Sequence, residues 1–180
     1  MRRFLILWHI FLIPLLAKAQ NCGLEGDSIN INRNSTINYT FDVTDVVNDD
    51  LADPNQGICG VEIDFVHQFS EDLEIFLTSP AGQTVQLMGP NTTDQFAFTF
   101  FTRWDISFVQ CAATAVPDSG YVARWNNGQA RNFVSGGRYN GSYYPFDGCL
   151  EDFNMGPVNG TWTLTIQNNP STYLGRIYDF

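Results

Sequence analysis

Lysine is nearly absent from this chain: Lys18 is its one lysine, and the remaining cationic side chains are arginines. Nine basic residues face 19 acidic ones, for a net charge of −10. Binding to nucleic acid needs Lys and Arg clustered against phosphates, so this balance argues against it. An acidic surface fits solubility or the binding of cations. Histidine is as scarce, with His9 and His67 alone. No Cys-x-x-Cys pair occurs, which removes the usual spacing of a structural zinc site. Helical periodicity of useful length is missing, and so is any internal repeat. Without a helix to open, no glycine loop can cradle a phosphate.

Long apolar runs are also lacking, apart from one at the start. Phe4 to Leu16 is apolar, yet it is shorter than the ~20 residues that span a bilayer and is broken by Pro14. Arg2 and Arg3 precede it, and Ala17-Lys18-Ala19 follows as an A-x-A site. Residues 1–19 therefore read as a signal peptide cleaved before Gln20. A lipid anchor on Cys22 is the weaker reading, since Gln20 and Asn21 are too large and polar for a lipobox. The expected product is exported, secreted or held at the cell surface, with no transmembrane span. Losing Arg2, Arg3 and Lys18 leaves six basic residues against 19 acidic ones, a net charge of −13.

What is present is alternation. From Val61 the apolar positions Val61, Ile63, Phe65, His67 and Phe69 share one face, and Glu62, Asp64 and Gln68 fall mostly on the other. The pattern restarts with Leu73, Ile75 and Leu77 against Asp72, Glu74 and Thr78. Period-2 alternation of this length means strands with one buried face. Ser79-Pro80-Ala81-Gly82 is a turn, because Pro presets one backbone angle and Gly permits positive φ. Thr84 to Leu87 resumes an extended run. Phe96, Phe98 and Phe100 alternate with polar or small residues, and Trp104 to Val109 predicts a further strand. Near the end Trp162, Leu164 and Ile166 alternate with threonines, a half-buried strand. Ile29, Ile31, Ile37, Tyr39 and Phe41 predict one or two opening strands. The last strand starts at Gly175.

These residues carry a family resemblance. His67, the pair Asp72-Leu73, Leu77, and then Ser79-Pro80-x-Gly82 resemble the core motif of the P domain, or P/Homo B domain. That module follows the catalytic domain in kexin- and furin-type proprotein convertases and also occurs in secreted bacterial proteins without a protease. Gly160-x-Trp162-x-Leu164 resembles its second motif, and Gly175 the glycine opening its last strand. The resemblance covers roughly residues 57–180. It implies an all-β fold, an antiparallel β-sandwich of jelly-roll, galactose-binding-like type, in which the motif residues are structural. It also implies a first sandwich strand within residues 20–56 and a last strand that runs further than Phe180, as in a longer precursor. The domain reading is a signal peptide at 1–19, opening strands and an acidic loop at 20–56, and the sandwich at 57–180 with a long loop at 110–145.

Four cysteines, Cys22, Cys59, Cys111 and Cys149, follow the leader. An even count in an exported chain predicts two disulfides. Three pairings exist; Cys22–Cys59 with Cys111–Cys149 is preferred, because each closes one loop-rich segment. Cys111 and Cys149 would hold the ends of the Gly- and Asn-rich stretch 110–145, which is long for a connection within a sandwich.

Four groups of residues invite a chemical reading. Residues 42–56, DVTDVVNDDLADPNQ, gather Asp45, Asp49, Asp50 and Asp53 with amide side chains, a donor set suited to calcium. They lack the Gly and terminal Glu of an EF-hand, so a solvated loop, with a helical turn at Thr44 to Val47, is the default. Trp125, Tyr139, Tyr143 and Tyr144 could stack on sugar rings with Asn126, Asn127 and Asn140 beside them, or cover the sandwich edge. Glu71/Asp72 and Glu151/Asp152 are adjacent carboxylates, which point to opposite faces of a strand and do not converge on one glycosidic bond. Asp118-Ser119-Gly120 resembles the tripeptide around a subtilisin-type aspartate, but the companion His-Gly-Thr and Gly-Thr-Ser motifs are absent. His67, in an apolar alternating face, reads as a sheet histidine and not as a triad base. No catalytic residue is assigned. Asn-x-Ser/Thr occurs at Asn34, Asn38, Asn91, Asn140 and Asn159.

The expected function is a secreted, non-catalytic sandwich that stabilises a neighbouring domain or engages an extracellular protein or glycan. The alternatives are an accessory domain of an exported serine-type endopeptidase whose catalytic part lies outside this chain, and a carbohydrate-binding module. No cofactor is expected beyond the calcium reading.

Overall fold

Alternation in the chain becomes nine strands in a computed structural model, which describes residue 24 and residues 28–69, 72–89, 103–112, 138–168 and 172–180. In order these are β1 (Ile29–Ile31), β2 (Ser35–Val43), β3 (Gly60–His67), β4 (Leu73–Thr78), β5 (Thr84–Met88), β6 (Arg103–Val109), β7 (Arg138–Tyr143), β8 (Gly160–Asn168) and β9 (Gly175–Asp179). One sheet has the order β1-β9-β3-β6-β7 and the other β2-β8-β4-β5. All pairs are antiparallel except β6 with β7. The two sheets face each other as a sandwich of jelly-roll type, as the alternation and the resemblance led us to expect.

The inner faces carry the residues that alternation marked. Ile63, Phe65, Trp104, Ile106, Phe108 and Ile177 come from the five-stranded sheet, and all are buried. Leu73, Ile75, Leu77, Val85, Leu87, Trp162, Leu164 and Ile166 meet them from the other sheet. Each such side chain contributes ~1.5–3 kcal/mol by leaving water, which makes this interface the main stabilising term. Phe65 and Trp104 stack across β3 and β6 with ring centroids 6.2 Å apart. β8 lies between β2 and β4, with Ile166 opposite both Ile37 and Ile75. The Gly-x-Trp-x-Leu strand is thus the middle of its sheet.

The structure departs from the sequence reading in three places. Within the long stretch 110–145, Arg138–Tyr143 forms β7, an edge strand parallel to β6. Its Asn and Gly residues hid a pairing that depends on a distant strand. The adjacent carboxylates Glu151 and Asp152 lie in a 3-10 turn, Leu150–Asp152, and not in a strand. The helical turn expected at Thr44 to Val47 is absent: Asp45 takes a left-handed φ of 64°, and the Asn159 side chain holds Val46 by two bonds, accepting from its N–H at 3.0 Å and donating to its carbonyl at 2.9 Å. The strand expected at Phe96 to Phe100 and the tripeptide at Asp118 lie outside the described residues.

Candidate functional site

The motif residues of the sequence reading meet in two places. The first is the end of β3. His67 is 2 % exposed, and its ring points between the sheets. Its Nδ1 accepts from Phe69 N–H at 3.1 Å and also lies against the Phe69 carbonyl. Asn168, at the end of β8, lies near the ring on the other sheet. Asn168 is itself fully buried and donates to the carbonyls of Asn32 at 2.8 Å and Tyr173 at 2.9 Å. Burial lowers the His67 pKa below its ordinary value; the Phe69 carbonyl, the charge of Asp72 and the Asn168 side chain oppose that shift without cancelling it. His67 therefore stays neutral near pH 7. Gly175 pairs with His67 in the β3–β9 ladder. A Cβ there would run into the His67 ring and stand 2.6 Å from the Val66 carbonyl oxygen. Only glycine fits that approach.

The second meeting place is the β4–β5 turn. Ser79, 4 % exposed, accepts from Gln83 N–H through Oγ at 3.2 Å, and Gly82 N–H donates to the Ser79 carbonyl at 2.9 Å. Pro80 of this turn packs on Gly160, where a Cβ would lie 3.0 Å from the proline ring and φ is +134°. So Ser-Pro-x-Gly and Gly-x-Trp-x-Leu, far apart in the chain, touch in the fold. Trp162 lies 2 % exposed, donates from Nε1 to the Val158 carbonyl at 2.8 Å, and meets Phe153 edge-on at 5.4 Å. Leu73, Leu77 and Leu164 are core. Asp72 N–H donates to the Phe69 carbonyl at 3.1 Å, which closes the turn into β4. These residues form a structural spine.

Other sequence candidates fall elsewhere. Cys111 and Cys149 are joined by a disulfide. Glu151 sits beside it and accepts from Cys111 N–H at 3.0 Å and Ala112 N–H at 2.8 Å. Burial would raise the Glu151 pKa, but the backbone N–H groups of Ala112, Glu151 and Cys111 outweigh it and lower the value. Cys59 is an exposed free cysteine, and Cys22, its expected partner, lies outside the described residues. Among the described residues, Cys111, Cys149 and Glu151 are the group whose candidate metal-ligand atoms converge, and there the sulfurs are already bonded to each other. The carboxylates of Asp45, Asp49, Asp50 and Asp53 do not gather in this way. They turn instead to local donors: Asp49 accepts from Asn159 N–H at 2.6 Å, Asp50 from Ala52 N–H at 2.9 Å, and Asp53 from Asn55 N–H at 2.8 Å. The Asn55 N–H, then the Asn48 and Asn55 side chains, lower the Asp53 pKa. Of the aromatic group, Tyr143 is turned into the core at 3 % exposure and Tyr144 is half-buried. Trp125 and the side chain of Tyr139 lie outside the described residues.

Sequence reasoning missed the outer face of the five-stranded sheet. Arg176 pairs with Val66, Val66 with Arg103, and Arg103 with Arg138, so four adjacent strands place three arginines in one row. Arg103 holds Asp64 through two bonds, the Nε–Oδ1 one at 2.7 Å, and its guanidinium lies 4.4 Å from the centroid of the Tyr178 ring. Asp64, more than any other neighbour, keeps the Arg103 pKa raised. Arg138 reaches Asp105 at 2.9 Å. Beside this row opens a cleft of about 480 Å³, lined by Val66, Gln68, Arg103, Leu174, Arg176 and Tyr178 over a floor of His67 and Gly175. A smaller apolar cleft of about 330 Å³ opens between β2 and β3, around Phe41, Val61, Trp162 and Phe180.

Residues 59–117 match the model of the proprotein convertase P-domain. That segment runs from just before β3 past β6 and contains the first motif. The second motif and Gly175 lie beyond it but pack against its residues at Pro80 and His67. No curated protein matches the chain.

Proposed function

We propose that this chain is an exported, non-catalytic β-sandwich module that stabilises a domain beside it or holds an extracellular partner. The P-domain match carries the reading, since the P-domain is a non-catalytic accessory domain. The site supports it: the histidine a protease reading would need is buried, held by Phe69, and flanked by structural motif residues. The same match favours a second reading, an accessory domain of an exported serine-type endopeptidase whose catalytic part lies outside this chain. Both readings make the chain a support for other parts.

The test is to purify the chain, add it to the domain encoded beside it, and follow that domain's melting temperature. A rise that saturates with added chain supports the proposal. No complex and no rise would refute it. A subtilisin-like neighbour would select the second reading. The chain alone is expected to hydrolyse no peptide; turnover that disappears in His67→Ala would overturn the non-catalytic assignment.

A further inference from the structure

The cleft beside β9 presents a cation, Arg176, with no carboxylate among the residues that line it. The chain carries 19 acidic residues, yet none of the residues lining this cleft is a carboxylate. Of the three arginines in the row, Arg103 and Arg138 are neutralised by Asp64 and Asp105. Arg176 is exposed, and its partner among the described residues is neutral: it donates from Nε to Asn30 Oδ1 at 2.9 Å. A guanidinium has five N–H donors in a fixed fork. The Asn30 bond uses one and orients the plane, and the terminal nitrogens remain for a planar anion. Arg103 stands two strands away on the far side of Val66, about 10 Å off at normal strand spacing.

Beside Gln68 and Arg103, the cleft offers an apolar wall of Val66, Leu174 and Tyr178. Four large hydrophobic residues are exposed among the described residues, and two of them, Leu174 at 41 % and Tyr178 at 38 %, border this opening. The Tyr178 ring is held in place by Arg103. A fork-shaped cation beside fixed apolar walls in a space of about 480 Å³ fits a carboxylate on an apolar body of a few residues.

We propose that this cleft binds a peptide segment of a partner in which a Glu or Asp lies next to an apolar side chain, with the carboxylate on Arg176 and the apolar group against Leu174 and Tyr178. This rests on the module reading above and names the chemistry of its partner. Charge complementarity selects the occupant: the cleft is a local positive site on an otherwise negative protein, so a second copy of the same surface would repel it. An anion paired with the Arg176 fork is held by charge-assisted bonds.

The test uses the full chain and two probes, acetyl-Leu-Glu-Phe-amide and its isostere acetyl-Leu-Gln-Phe-amide, followed by NMR titration. The Glu peptide is expected to shift the signals of Leu174, Arg176 and Tyr178 and to bind at least tenfold more tightly than the Gln peptide. Arg176→Gln should remove that preference and Arg176→Lys should keep part of it, both with unchanged melting temperature. Arg138→Gln, on the same row outside the cleft, should behave as wild type. Equal binding of the two peptides, or an Arg176→Gln variant that binds as wild type, would overturn the carboxylate site. Acetate or a uronic acid binding as tightly as the Glu peptide would overturn the peptide as its source. If no peptide binds while the chain still stabilises its neighbouring domain, the cleft proposal fails and the module reading stands. If peptides bind and no stabilisation occurs, the reverse holds.

Discussion

Gly175→Ala adds one methyl group where His67 and the Val66 carbonyl already occupy the space. The new Cβ would lie 2.6 Å from the carbonyl oxygen, roughly an ångström inside the ~3.5–4.0 Å at which non-bonded heavy atoms rest. The carbonyl belongs to β3, which pairs with β6 on its other side, so it cannot retreat without disturbing a second ladder. The ring is the softer obstacle. Moving it means stretching its bond with Phe69, and an unsatisfied buried polar group costs ~1–3 kcal/mol. Overpacking alone costs ~1–3 kcal/mol. A total near ~3 kcal/mol follows, a loss of roughly 6–12 °C in Tm for a domain of this size. Thermal melts followed by circular dichroism read it directly. In a His67→Ala background the ring part of the clash is gone, so the cost of Gly175→Ala should fall by ~1 kcal/mol or more while the Val66 part persists. A loss below ~0.5 kcal/mol for the single variant would refute the close approach. Strict additivity in the double variant would refute the role of the ring, because contacting residues should couple.

Three further outcomes are expected. Trp162→Ala should cost ~3–5 kcal/mol, and Trp162→Phe only ~1 kcal/mol for the lost bond to Val158, both measured by urea unfolding; a neutral Trp162→Ala would place the β8 register one residue off. His67 has a folded pKa below its ordinary 6.5, so the unfolded chain takes up the proton first and stability is lost as pH falls from about 6.5 toward the folded value; His67→Gln should flatten that part of the Tm–pH curve, and an unchanged slope would remove His67 as its cause. Replacing Cys111 and Cys149 with Ala opens a loop with a separation of 38 residues, which should cost ~4 kcal/mol by chain entropy; an unchanged unfolding midpoint would refute the bond as a stabiliser of the native fold.

What the chain reveals by itself is local. Alternation placed Ile63, Phe65, Leu73, Ile75, Leu77, Trp162, Leu164 and Ile166 on buried faces, and all are buried. Period 2 is a property of each strand alone and needs no knowledge of its neighbours. Everything that depends on neighbours was hidden. β7 is a strand because β6 is there to pair with it, although Asn140 and Gly141 lower its own preference. Glu151 and Asp152 looked like strand residues, but the turn they occupy lets their carboxylates bond the N–H groups of Cys111, Ala112 and Cys149. In the acidic loop the carboxylate count is visible in the chain and the direction is not: Asp49, Asp50 and Asp53 face backbone donors. Arg103, Arg138 and Arg176 lie far apart in the chain, and only the sheet register puts them in one row.

The register also explains why the matched family segment is not a self-sufficient unit. Residues 59–117 contain β3 with its partner β6, and β4 with its partner β5. These are two pairs from two different sheets. The strand that completes the first, β9, and the strand that completes the second, β8, both come from the end of the chain. Two-stranded pairs are marginal in water, and a third strand or a packed face is what stabilises them. β8 supplies Trp162, Leu164 and Ile166 to the interface, and β9 supplies Ile177. The two glycines of the late motifs lie where those strands meet the early ones, Gly160 on Pro80 and Gly175 on His67. Motif residues 80 and 160, or 67 and 175, therefore constrain each other sterically across the whole chain. The spine they form holds the structure, which leaves the outward residues of the same strands, Arg103 on β6 and Arg176 on β9, free to differ in charge and partner without disturbing the core.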